Sequence, residues 1–166
     1  MATPEGLKLL VRALEDAHAI ETEALEMLTA LHQAETDPEL RSTLERHHAE
    51  TRELRARVDA CLRDRGKRTS GRKERQAFLS ATVKGFSESL RGTSSPRNIS
   101  DWYVTEHREV AAFAIVARVG DRLGAEDVAQ LGRDAAMLHA KMGERAAGWF
   151  DYLVEQFVRS TSAPQR

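Results

Sequence analysis

The chain reads as all-α, and three features of its 166 residues carry that expectation. The composition is rich in Ala, Leu, Glu and Arg, with few aromatics and only four prolines, which favours helices over sheets. Apolar residues recur at alternating three- and four-residue spacing over long stretches, which sets them on one helical face. Thr3-Pro4, Asp37-Pro38 and Ser95-Pro96 stand where such stripes begin, each a capping side chain followed by a proline suited to the first helical position. The length fits one domain, placed at 1–159, with a flexible polar tail at 160–166.

The first helix runs from about Pro4 to Gln33, with Glu5 in its first turn and the stripe Leu7, Leu10, Leu14, Ala17, Glu21, Ala24, Leu28, Leu31. The short Glu35-Thr36-Asp37-Pro38 turn restarts the chain as a second helix, so the pair forms an antiparallel hairpin. Its stripe is Leu40, Leu44, His47, Thr51, Leu54, Val58, Cys61. From Arg63 to Arg75 the chain is basic and broken by Gly66 and Gly71, and a connecting helix from about Arg72 to Leu90 follows. That segment is long enough to cross the length of a bundle.

After a loop at Gly92 to Ser95, the third helix carries Ile99, Trp102, Glu106, Glu109, Phe113, Val116, Gly120, Leu123 and stops at Gly124. The fourth runs from about Glu126 to Arg159 with Val128, Leu131, Ala135, Leu138, Met142, Ala146, Trp149, Leu153 and Phe157 inside. The expected architecture is therefore an antiparallel four-helix bundle of two hairpins, joined by a crossover helix between the second and third.

The formal net charge of -1, with both signs dispersed, gives no reason to expect nucleic acid or an anionic membrane as partner. The Arg63 to Arg75 stretch includes acids and lacks interleaved aromatics, so it reads as a solvated connector. Cys61 is alone, which excludes an intrachain disulfide and suits a reducing compartment. Neither a signal-peptide core nor a membrane-spanning apolar run is visible, so the expected setting is the cytoplasm.

The chemistry lies where charge interrupts these stripes. Glu106 and Glu109 occupy the middle of the third helix's apolar face, and removing an ionised carboxylate from water costs several kcal/mol unless it is protonated, paired or metal-bound. Glu21 interrupts the first helix in the same way. His47 interrupts the second, with Glu50 one turn later at the edge of that face and Glu53 pointing further out. In the fourth helix, His139 lies on the rim of the stripe, one turn from Ala135 and Met142.

Depth tests whether these residues belong together. Glu21 stands about 14 residues before the first turn and Glu50 about 14 after it, which places them side by side at about 1.5 Å per residue. Glu109 and His139 stand about 15 residues either side of Gly124. No Lys or Arg interrupts the stripes near that level to neutralise the acids. Carboxylate oxygens and imidazole nitrogens from four helices suit iron, manganese or zinc, and open positions on such a centre take dioxygen, peroxide or water. The helical Glu-x-x-His pair usual in dinuclear sites does not fall on these stripes, since at this level the second helix offers His47-x-x-Glu50 and the fourth Ala136-x-x-His139. His18, one turn before Glu21, is a candidate for support behind the ligands, and Tyr103, one turn from Glu106, is either a redox phenol or an ordinary core tyrosine.

With these residues in place, the sequence resembles the YciE/YciF family of bacterial ferritin-like stress proteins from about Leu9 to Leu153. The likeness is carried by Asp16-Ala-His-Ala-Ile-Glu21, by Pro38-Glu-Leu40 leading to His47-His-Ala-Glu50-Thr51, and by Glu106-His-Arg-Glu109-Val-Ala. The resemblance implies a rubrerythrin-like four-helix bundle, a homodimer and a dinuclear metal centre. It places Glu21, Glu50, Glu106 and Glu109 on the family's acidic positions and His47 on the histidine before its Glu-Thr pair. Where the family has a pair of acids in the last helix this chain has Leu138 and His139, and Arg108 replaces a tyrosine. The functional expectation is a stress-related protein binding iron or manganese through Glu21, Glu50, Glu106, Glu109, His139 and His47, with redox chemistry toward oxygen or peroxide. The alternative is a metal-free dimeric interaction protein with a vestigial site.

Overall fold

The computed structural model describes residues 3–67 and 96–162, with no sheet among them. Among the described residues five helices are formed: α1 Pro4–Ala34, α2 Pro38–Asp64, α3 Pro96–Leu123, α4 Glu126–Gly148 and α5 Phe150–Ser162. The expected connecting helix at Arg72 to Leu90, the Ser95 cap and the last four residues of the tail lie outside the described residues.

The caps act as the sequence predicts. Thr3 accepts a hydrogen bond from the Gly6 N–H at 3.1 Å, and Asp37 accepts from Glu39 and Leu40 at 2.9 and 3.0 Å. Glu35 ties the first turn by accepting from the N–H groups of Thr36 and Asp37. Gly124 ends α3 at φ +67°, in the left-handed region that side chains with a Cβ disfavour.

Two apolar cores fix the direction of each helix. One joins Leu10, Leu14 and Ala17 of α1 with Leu54, Val58 and Leu62 of α2, Phe113 and Val116 of α3, and Val128, Leu131 and Ala135 of α4. The other joins Met27, Leu28 and Leu31 with Leu40, Leu44, Ile99, Trp102, Ala146 and Leu153. The start of α3 therefore lies beside the end of α1, and α2 and α3 run in the same sense. The link between the two hairpins is accordingly a crossover, the ferritin-like arrangement. A fully buried leucine such as Leu14 or Leu28 contributes roughly 1.5–3 kcal/mol.

The α3–α4 hairpin is the tighter one. A Cβ on Gly120 would lie 2.8 Å from the Ala129 Cα, and one on Gly132 would lie 2.8 Å from the Ala117 Cα and the Phe113 carbonyl oxygen. The two backbones approach closer than any side chain at these positions would permit.

The structure corrects the sequence reading in several places. The expected continuous fourth helix breaks at Trp149, whose N–H bonds to the carbonyls of Ala146 and Ala147. A tightened turn after Gly148 follows, and α5 restarts with the Leu153 N–H on the Trp149 carbonyl. Beyond the break Leu153 packs in the second core, the Tyr152 hydroxyl donates to Asp37 at 2.9 Å, and Phe157 is exposed. On α4, His139 is fully buried and Leu138 only partly so, because the 3-4 progression runs from Ala135 through His139 to Met142. On α2, Leu62 is buried in place of Cys61, and on α1 Leu7 is exposed.

Candidate metal centre

Between the two apolar cores lies a polar layer. Glu21, His47, Glu106, Glu109 and His139 all have zero exposure, so every long helix contributes at least one fully buried ionisable side chain at one level. The 3-4 stripes create this layer by turning these positions inward regardless of their polarity.

His139 is its centre. Its Nδ1 lies 2.9 Å from Glu106 Oε2 and 3.2 Å from Glu109 Oε2, and its Nε2 lies 2.9 Å from Glu21 Oε1. Phe113 stacks on the ring with centroids 5.6 Å apart. On the other side of Glu106, Oε1 lies 2.7 Å from His47 Nε2 and accepts from the Trp102 indole N–H at 2.7 Å. Both Glu106 oxygens are thus fully engaged.

A neutral imidazole has one N–H, so carboxylates at both nitrogens call for the imidazolium. Burial opposes that charge, yet Glu106, Glu109 and Glu21 around the ring push the His139 pKa up to about 12. For Glu109 burial dominates and raises its carboxyl to about 8, with His139 offsetting only part of the cost. Burial likewise raises Glu21 above the ordinary carboxylate range. Glu106 goes the other way. Burial would raise it, but hydrogen bonds from His139 and His47 hold it below its usual value.

Several buried atoms here have no hydrogen-bond partner: Glu21 Oε2, both oxygens of Glu109, and His47 Nδ1. An orphaned buried carboxylate oxygen is costly, and a cation would satisfy it. Two sets have ligand atoms within 4.8 Å of one another, His47 with Glu106 and His139, and Glu21 with Glu109 and His139. Oxygen and nitrogen donors in this mixture fit iron, manganese or zinc, so the residues present suit a metal.

Of the six residues singled out from sequence, Glu21, His47, Glu106, Glu109 and His139 come together. Glu50 stands at the edge: its side chain is 35% exposed, and its Oε2 is 3.8 Å from His47 Nδ1. His18 instead faces Asp59 Oδ1 at 3.0 Å, and Tyr103 packs against the rings of His107 and Phe150. Arg108 pairs with Glu23 at 3.3 Å. Sequence reasoning missed Trp102 as a partner of Glu106. The signal was present, since a buried indole needs an acceptor and Glu106 lies one turn along the same stripe.

Comparison with known proteins agrees with this architecture. A protein from Xanthomonas campestris pv. campestris, known from its crystal structure, is similar at a TM-score of 0.76 and 24% sequence identity, over 95% of this chain and 99% of that one. At that identity the likeness speaks to the fold. No curated protein matches the chain. Among the described residues no helix is long and apolar enough to cross a membrane. A family described as a domain of unknown function, DUF892, matches residues 7–159. By fold and by that match, the chain belongs to the DUF892 family of ferritin-like four-helix bundles, consistent with its resemblance to YciE/YciF proteins.

Proposed function

We propose that the mid-bundle layer binds a transition metal, iron or manganese, held by Glu21, Glu106, Glu109, His139 and His47. The observation that carries this reading is the set of unpartnered, fully buried oxygens on Glu21 and Glu109 beside an imidazole that both acids already face. Bound iron or manganese would supply one-electron chemistry toward dioxygen or peroxide.

The chain's own residues would prepare the layer for that cation. Trp102 and His47 orient Glu106 through its Oε1, and Phe113 fixes the plane of His139. The two apolar cores exclude water from either side. His139 and Glu109 hold protons that an arriving cation must displace. A stress-related role, a homodimer and a cytoplasmic setting belong to the same proposal and rest on the sequence and its family resemblance.

The test is elemental analysis of protein purified with iron and manganese available. Retained metal that falls when Glu109 or Glu21 is replaced by glutamine supports the reading, and protein free of metal under those conditions refutes it.

A second reading is favoured by one observation. Both nitrogens of His139 already face carboxylates, so an imidazolium can serve as the internal cation of a metal-free bundle. In that case saturating iron, manganese or zinc leaves the thermal midpoint unchanged, whereas a metal bound only by the native state raises it.

A further inference from the structure

Of the neighbouring pairs among the four long helices, α2 and α4 are in the thinnest contact. A groove of about 160 Å³ opens there, lined by Glu50, Leu54, Ala135 and Leu138, with Arg57 and Asp134 paired across it at 3.4 Å. The α3–α4 seam offers no such opening, since its backbones meet at Gly120 and Gly132. The groove meets the polar layer through Glu50, which lines it and whose Oε2 lies 3.8 Å from His47 Nδ1.

Two unpartnered atoms meet there. Glu50 Oε2 is buried without a hydrogen bond although the side chain as a whole reaches solvent, and the fully buried His47 Nδ1 also lacks one. They stand 3.8 Å apart. The inner nitrogen of His47 touches Glu106 at 2.7 Å. Donor atoms therefore lead from solvent to the layer in the order Glu50, His47, Glu106.

We propose that Glu50 is the capture point at which a divalent cation enters from the α2–α4 groove, with His47 as the next donor inward. This rests on the metal-binding reading above and gives Glu50 a role in uptake rather than as a resident ligand. A carboxylate that is part solvated and part buried can bind a hydrated cation outside and release it inward. A permanent ligand needs no such exposure.

The experiment follows uptake of Mn²⁺ alone by the metal-free full chain. A Trp149→Phe background leaves Trp102, bonded to Glu106, as the remaining one of two tryptophans. Loading is read by quenching of its fluorescence after rapid mixing, and by Mn²⁺ retained after rapid desalting. Glu50→Gln should load on the order of tenfold more slowly than the parent yet reach the same final Mn²⁺ content. Glu50→Asp keeps the charge but withdraws the oxygens from His47, and it should also load slowly. Glu53→Gln removes the same charge from the groove rim without a buried partner, and should load at the parent rate.

Parent-like loading by Glu50→Gln overturns the proposal, as does equal slowing in Glu53→Gln, which would reduce the effect to general electrostatic attraction. Loss of final Mn²⁺ content in Glu50→Gln overturns it too, by making Glu50 a resident ligand. A parent that retains no Mn²⁺ refutes the metal-binding reading itself and this inference with it, so the two failures are distinguishable.

Discussion

Glu106 and Glu109 lie three residues apart on one face of α3, both fully buried, and they are in opposite states. Glu106 accepts from His47 and Trp102 on one oxygen and faces His139 with the other, and its carboxyl is held below the ordinary range. Glu109 meets only His139, at 3.2 Å on one oxygen and outside good hydrogen-bond geometry, and its carboxyl is raised to about 8. Glu106 organises the layer, and Glu109, with Glu21 beside it, keeps donor atoms in reserve. Burial alone does not tell a structural carboxylate from one awaiting a ligand. The count of donors around each does.

The largest effect expected from that contrast is on stability. Glu106→Ala strands His47 and an indole N–H in the interior and takes from His139 one of its three carboxylates, and should cost about 3–5 kcal/mol in urea unfolding of the metal-free protein. Glu109→Gln should cost much less than Glu106→Ala, because it weakens a single 3.2 Å contact with His139 and strands no other buried group. Equal costs would break the comparison.

The second effect comes from metal. Mn²⁺ at about a hundred times its dissociation constant should stabilise the wild type by about 2.7 kcal/mol, and the Glu21→Gln, Glu109→Gln double variant much less, as read from thermal midpoints.

The third moves the frame that holds the two acids. Gly132→Ala pushes a methyl group into the Ala117 backbone and should cost about 1–3 kcal/mol, shifting α4 and His139 away from α3. Urea unfolding measures it.

The pH dependence follows from the same two groups. Glu109, at about 8 when folded against an ordinary 4.5, holds a proton that the unfolded chain has already lost, so its contribution is greatest below about 4.5 and declines as pH rises to 8. His139, at about 12 against 6.5, contributes fully below 6.5 and loses its contribution as pH rises toward 12. Stability of the metal-free protein should therefore fall between pH 5 and 8. Because a cation displaces both protons, the stabilisation by Mn²⁺ should grow over the same interval. Thermal melts in chelator and in Mn²⁺ at several pH values check both slopes.

The sequence made much of this legible. Glu106 and Glu109 stood out because two charges broke a stripe whose other members were apolar, and equal distances from the turns brought Glu21 and His139 to their level. Periodicity was weaker where two neighbours compete for one position. Leu138 looked like the buried residue on α4, yet the buried face runs through Ala135, His139 and Met142, and three carboxylates meet the imidazole there. The break at Trp149 was invisible because Trp149 and Leu153 stay in phase across it. A helical wheel also gives direction but not reach, which is why Glu50 reads as a member of the cluster and stands at its edge.

The most direct test of the central claim is equilibrium dialysis against Mn²⁺ followed by elemental analysis of the wild type and of the Glu21→Gln, Glu109→Gln double variant. The account predicts that the wild type retains Mn²⁺ and the double variant does not. Retention by neither protein, or equal retention by both, would contradict it.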